Sequence, residues 1–267
     1  MTGAGDTPEP PVRPSRINLP DGPEVWCTSV PAATAMWREM MPPGTYDRAA
    51  ATVAEGGTVL DIGASIGLMS VLCALRTPGL RVIAAEPAPE PFACLRLNLA
   101  LYVGTWEAEC VAVAARSGEL PFTYYPQAPG NSGLFADPEA DAEVTRRYLT
   151  NTGLSPEEAA ELTEGLHQGV EHRVRVVTVS DLIRRHRVAR VDLLKVDVER
   201  AELDVLRGVA DEDWPRVGRV VAEVHDEDGR LARCERLLRS KGFEVTVTQD
   251  PLLAGTVLYG IEAGRPT

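Results

Sequence analysis

The stretch Val59-Leu60-Asp61-Ile62-Gly63-Ala64-Ser65-Ile66-Gly67 decides how the chain is read. An apolar run ends in a glycine turn, and Leu68, Leu72 and Leu75 then recur at helical spacing. The pattern predicts a strand over Thr58–Ile62, a tight turn, and a helix from about Gly67 to Arg76. Gly63 lets the backbone turn sharply near a ligand, and Gly67 lets the helix pack closely on the strand. The helix start points free N–H groups and partial positive charge into the crevice.

A dinucleotide loop would read G-x-G-x-x-G, its middle glycine admitting a pyrophosphate. Here Ala64-Ser65 stand in that place, and Asp61 puts a carboxylate at the strand end. That charge repels a pyrophosphate and suits the cationic amine and sulfonium of S-adenosylmethionine. The next strand, Arg81–Ala85, ends at Glu86, a residue type that accepts hydrogen bonds from both ribose hydroxyls. Pro87-Ala88-Pro89 then sets the turn into the following helix. The expected cofactor residues are therefore Asp61, Gly63, Ala64, Ser65, Gly67, Glu86 and Pro87. The plainer reading is a generic βαβ unit with exposed carboxylates, in which Asp61 only caps the helix.

Outward from this loop, strand-length apolar runs alternate with helical patterns, which predicts an α/β fold with a mostly parallel sheet. A third strand is expected at about 108–114 and an extra one at Leu120–Tyr125. Strands follow at Arg173–Val179, Val191–Val196 and Arg219–Val224. Phe243–Val247 and Thr256–Ile261 read as a closing antiparallel pair. Residues 137–169 interrupt the rhythm as a helical insert, with Ser155-Pro156-Glu157-Glu158 as a capping box. The insert holds eight acidic and two basic side chains, half of the chain's net charge of −12. A solvated acidic flap is the plainer use of this segment; a lid or a homodimer contact is the sharper one. Residues 1–16, rich in Pro and Gly, read as a disordered leader, 17–48 as an N-terminal cap, and 49–267 as the main domain.

The acidic balance argues against a large nucleic-acid footprint, which needs a basic face. With no apolar run near the roughly 18–20 residues of a membrane helix, no membrane span is expected. The five cysteines are scattered without a CxxC pair, so neither a disulfide framework nor a zinc ribbon is expected, and a cytoplasmic location is.

Two later strands end in ionisable residues, Lys195-Val196-Asp197-Val198-Glu199-Arg200 and Glu223-Val224-His225. Ligands bind beyond the carboxyl ends of parallel strands, so Asp197, Glu199, Glu223 and His225 should converge there. Methyl transfer needs an aligned acceptor and, for a hydroxyl, a base. His225 is the expected base and Asp197 its orienting partner, with Lys195 either catalytic or a neutraliser of its neighbours. The four acidic and imidazole groups could also gather a divalent ion, but their spacing follows no fixed ligand motif, and no metal is expected. Tyr46 either folds over the cofactor or anchors the cap, and Asn131-Ser132-Gly133 lies in a turn that could line the pocket.

Val59–Gly67, Glu86-Pro87 with Asn98, Val191–Glu199, Ala201–Gly208 and Glu223-Val224-His225 together resemble the FkbM-type methyltransferase family. The resemblance runs from about Tyr46 to Val247. It implies a Rossmann-like class I methyltransferase fold with a seven-stranded sheet, S-adenosylmethionine as donor, and O-methylation of a hydroxyl on a small natural product or sugar. Two departures stand out: Ser65 replaces the family's usual Asn, and Arg200 its usual Gly. A nicotinamide-dependent oxidoreductase and a non-catalytic cofactor-binding domain are the competing functions. The missing middle glycine and Asp61 argue against the first, Asp197 and His225 against the second.

Overall fold

The computed structural model describes residues 14–41 and 44–266; residues 1–13 of the expected leader lie outside the described residues. In chain order the elements are β1 (Ser15–Asn18), β2 (Glu24–Cys27), α1 (Val30–Met40), α2 (Thr45–Ala50), β3 (Thr58–Ile62), α3 (Leu68–Arg76), β4 (Arg81–Ala85), α4 (Pro89–Tyr102), β5 (Thr105–Glu109), β6 (Ala112–Val113) and β7 (Gly118–Tyr124). Then come α5 (Pro138–Asn151), α6 (Pro156–Thr163), β8 (Val170–Val177), α7 (Val179–Arg185), β9 (Leu193–Val196), α8 (Glu202–Arg207), β10 (Arg219–His225), α9 (Arg230–Ser240), β11 (Glu244–Thr248) and β12 (Leu258–Gly264).

The main sheet has seven strands in the order β11-β12-β10-β9-β3-β4-β5. Only β12 runs against its neighbours, inserted between β10 and β11. The central strands are mostly apolar because both faces are covered, the buried Asp61 and Lys195 being the exceptions in β3 and β9. On one face α8 and α9 pack Leu206, Cys234 and Leu238 on Leu60, Leu194 and Val220. On the other, α3 and α4 pack Leu72, Leu95 and Leu99 on Val59 and Val82. The strand order reverses at β3, whose neighbours are β4 and β9. That reversal is where an open α/β sheet forms its binding crevice.

The expected third strand at 108–114 is two strands. β5 stays in the main sheet to Glu109, whose carboxylate is held by Arg175, Arg185 and His186. The chain then leaves, and β6 joins a separate three-stranded sheet in the order β6-β8-β7. The runs read at 120–125 and 173–179 are its other two strands, β7 and β8. Alternation alone does not say which sheet a strand joins.

Residues 137–169 contain α5, capped by Asp137, and α6, whose Ser155–Glu158 capping box is formed in both directions. Ahead of β3, the β1–β2 hairpin, α1 and α2 cover one side of the sheet. Asn98 of α4 binds both backbone groups of Trp26, at 2.7 and 2.9 Å, and the Ile66 carbonyl at 2.8 Å. One buried side chain thus ties the hairpin to the turn after β3. Among the described residues no helix is long and apolar enough to cross a membrane.

Candidate active site

Gly63 has φ 72°, and a Cβ there would sit 1.7 Å from the Asp197 carbonyl oxygen. The turn after β3 therefore touches the end of β9, and only glycine allows both the conformation and the approach. Gly67, φ 86°, packs on Leu95 of α4, where a Cβ would lie 2.6 Å from the leucine methyl. The amides of Gly63 and Ala64 both donate to the Ala85 carbonyl at 3.0 Å. Ser65 takes φ 48° and turns its amide onto Glu86 Oε2 at 2.8 Å. Glu86 Oε1 accepts from the Ala88 amide, also at 2.8 Å. Burial pushes the Glu86 carboxyl up to about 7, against the lowering effect of these two amides.

A pocket opens here, lined by Gly63, Ser65, Glu86, Pro87, Asp197 and Glu199, with Val111–Val113, Met36 and the turn from Pro129 to Leu134 as its walls. The buried Ser65 hydroxyl has no hydrogen-bond partner. Pro87 and Ser132 line the pocket as the sequence suggested, while Val111–Val113, Met36 and Phe122 carry no chemical signature and were not legible. A larger cavity, about 340 Å³, lies at the opposite edge of the sheet among Leu193, Arg219 and Glu244, and none of these functional candidates lines it.

Asp61 does not face the pocket. It is fully buried, accepts from Ser70 Oγ at 2.6 Å, and lies 3.4 Å from Lys195 Nζ. Lys195, also buried, donates to the Gly63 carbonyl at 2.5 Å and stands 3.4 Å from Asp197. Burial alone would lower the Lys195 pKa; Asp197 and Asp61 outweigh it and raise it. Lys195 thus neutralises its neighbours and fastens the glycine turn; it has no free path to a substrate.

β9 and β10 are parallel neighbours, with Val221 beside Lys195 and Ala222 beside Val196, so Asp197 and His225 reach the same edge. The structure does not leave His225 free to act as a base. Its Nδ1 is 2.9 Å from Glu202 Oε1 and its Nε2 is 3.1 Å from Glu199 Oε2. Burial would lower its pKa, but Glu199 and Glu202 hold it well above the ordinary histidine value. A cationic ring with a carboxylate at each nitrogen has no lone pair to accept a proton. Glu202, one of the residues at this site without a role in the sequence reading, fixes the ring from behind.

Asp197 is the more open acid, its side chain 27% exposed. Its Oδ2 accepts from the Tyr46 hydroxyl at 3.1 Å. Tyr46 therefore anchors α2 onto the end of β9. Asp197, Glu199 and Glu223 bring one oxygen each to within 4.8 Å of one another. Burial and the charges of Asp197, Glu199 and Glu39 raise the Glu223 carboxyl well above its ordinary value. Asp197, Glu199 and Glu223 meet at the strand ends, and His225 joins them through Glu199.

The sequence over residues 61–245 matches the methyltransferase FkbM domain. The chain is 39% identical over 250 residues to 31-O-demethyl-FK506 methyltransferase FkbM of Streptomyces tacrolimicus, covering 93% of this chain and 96% of that one. The chain belongs to the FkbM methyltransferase family, and is a methyltransferase. A second relative, AMB antimetabolite synthetase AmbE of Pseudomonas aeruginosa, is 35% identical over 94% of this chain, which corresponds to only 12% of that much longer protein. A third, Methyltransferase sdnD of Sordaria araneosa, is 34% identical over 80% of this chain and 83% of its own. Among solved structures, Methyltransferase FkbM from Methylobacillus flagellatus superposes with a TM-score of 0.50 at 14% identity, over 86% of this chain and 58% of that one. It shares the class I methyltransferase fold, as the β3-centred strand order also shows.

Proposed function

We propose that this FkbM-family enzyme transfers a methyl group from S-adenosylmethionine to a hydroxyl of a small natural product. The observation that carries the donor assignment is the charge of the pocket at the strand-order reversal. Three carboxylates, Glu86, Asp197 and Glu199, line it, and among its described lining residues there is no lysine or arginine. A pyrophosphate would meet like charge from Asp197 and from ionised Glu86 there, whereas a sulfonium and an ammonium are attracted. Glu86 would hold the ribose hydroxyls with its remaining lone pairs, and the unpartnered Ser65 hydroxyl offers a further polar contact. When bound, S-adenosylmethionine supplies a methyl group on a positively charged sulfur.

Asp197 would take the proton of an acceptor hydroxyl, because it is a partly exposed acid on the pocket wall. Tyr46 and Lys195 both meet its Oδ2 and so orient it. His225 keeps Glu199 in place. A hydroxyl of a natural product is favoured as acceptor by the relative that acts on 31-O-demethyl-FK506. The five free cysteines support a reducing, cytoplasmic compartment.

The test has two parts. Calorimetry should show S-adenosylhomocysteine binding and no NADP binding; tight NADP binding would sink the donor assignment. A screen of hydroxylated acceptors with labelled methyl donor should then give turnover that Asp197→Asn removes. Activity lost to a chelator and restored by Mg²⁺ would instead assign the Asp197, Glu199 and Glu223 oxygens to a cation.

A further inference from the structure

Glu199 and Arg200 are consecutive residues with left-handed backbone, φ 50° and 73°. Such a pair persists only where its surroundings over-determine it. Arg200 is 4% exposed. Its Nη1 lies 2.5 Å from Asp141 Oδ1, and its Nε 2.8 Å from Glu227 Oε1. One guanidinium thus joins the loop after β9 to the loop after β10 and to α5 of the insert. Asp141 is itself buried and also accepts from the Tyr125 hydroxyl at 3.0 Å and the Asp137 amide at 3.2 Å.

Asp141, Thr145 and Tyr148 are spaced i, i+4, i+7 on α5, so they share one face. At the far end of that helix Asn151 donates to the carbonyls of Leu252 at 2.8 Å and Ala254 at 3.0 Å, in the connection between β11 and β12. The helix is fastened at both ends. Between the two fastenings, Tyr148 lines a cavity with Glu39, Tyr46, Glu223 and Asp250. Tyr46 is hydrogen-bonded to Asp197, so this cavity adjoins the acid that faces the methyl acceptor.

We propose that Arg200 is a positioning residue for the acceptor side of the site: through Asp141 it seats α5 so that Tyr148 closes the cavity beside Asp197. The inference rests on the reading that this edge of the sheet receives the acceptor. Without the arginine, Asp141 is a buried, uncompensated charge. The sheet keeps its own ladders, so the helix is the element that yields, as a local opening.

The decisive variants are Arg200→Gly, which adopts φ 73° without strain, and Arg200→Lys, whose ammonium cannot fork to two carboxylates in the same way. Asp141→Asn removes the other half of the pair while keeping its shape. On the full-length protein, hydrogen exchange reads the helix and NMR of ring-labelled tyrosine, assigned with Tyr148→Phe, reads the cavity; neither needs an acceptor. Burial, with Glu39 beside it, holds the Tyr148 hydroxyl up at about 12. In Arg200→Gly and in Asp141→Asn, amide exchange over 138–151 should quicken by about tenfold or more while β3, β4 and β9 stay protected. Tyr148 should titrate at lower pH, nearer an ordinary phenol, and Arg200→Lys should recover part of both effects. S-adenosylhomocysteine affinity should stay within about threefold, since Arg200 does not line the cofactor pocket. Failure of the wild type to bind that probe would overturn the donor assignment and leave the exchange and titration results to judge Arg200. Wild-type exchange over 138–151 with an unmoved Tyr148 titration would overturn the proposal. So would exchange that quickens uniformly through helix and sheet, because that is a general loss of stability.

Discussion

The two sides of the crevice are held together over different distances along the chain. On the cofactor side the contacts are local: Glu86 binds the amides of Ser65 and Ala88, 21 and 2 residues away, and the glycine turn leans on Ala85. On the acceptor side the longest contacts span more of the chain: Tyr46 reaches Asp197 across 151 residues and Arg200 reaches Asp141 across 59. The first side is one βαβ unit, braced from outside where Lys195 of β9 meets the Gly63 carbonyl. The second is assembled only when α2, the insert and two strand ends meet. Substitutions on the acceptor side should therefore act on turnover and on the stability of the assembled edge, and those on the cofactor side chiefly on ligand affinity.

The largest expected effect is on chemistry. Asp197→Asn should lower turnover by about 10²–10⁴-fold, the usual contribution of a positioned base, with S-adenosylhomocysteine affinity changed only a few-fold in calorimetry. An Asn variant with wild-type turnover would move the proton acceptor to another group. Gly63→Ala breaks the comparison from the cofactor side. Its Cβ would enter the Asp197 carbonyl, so it should cost more than about 3 kcal/mol in denaturant unfolding and abolish donor binding. If Gly63→Ala folds and binds normally, the turn is less closely packed on β9 than the structure shows.

His225→Gln sharpens the acceptor side. It leaves Glu199 and Glu202 without their shared cation, and should cost about 3–5 kcal/mol, as for a broken buried pair. The pH dependence separates this role from that of a base. The His225 pKa is raised in the folded state, so its stabilisation is complete below the unfolded value of about 6.5 and is lost as pH rises through the higher folded value. The wild type should lose stability in alkali by an amount that the Gln variant does not show. Equal alkaline losses in both proteins would leave the ring without the charge assigned to it.

The smallest effect belongs to Glu86, whose carboxyl titrates near 7. Only the ionised form accepts on both oxygens, so S-adenosylhomocysteine affinity should strengthen as pH rises from about 6 to about 8. Glu86→Gln should flatten that dependence and weaken binding by about 1–3 kcal/mol. The same titration has the opposite effect on the unliganded fold. The folded state holds this proton more tightly than the unfolded chain between about 4.3 and about 7, so the Glu86 contribution to stability falls as pH rises through that window.

The sequence by itself determined the sheet's central strands, the glycine turn, Glu86 at the end of β4, and the meeting of the β9 and β10 strand ends. Each follows from apolar periodicity, or from a backbone conformation only certain residues adopt, and both are written in adjacent residues. Tertiary structure decided how the charges are used. Asp61 reads as a cofactor carboxylate, but Lys195 and Ser70 meet it inside the protein, and the acids that line the pocket are Glu86, Asp197 and Glu199. His225 reads as a base, but the fold places a carboxylate at each of its nitrogens. Arg200 reads as a cation beside the site, but its guanidinium is held by Asp141 of the insert and by Glu227. An ionisable residue's role depends on its burial and on the charges facing it from elsewhere in the chain, and neither is present in the order of its neighbours.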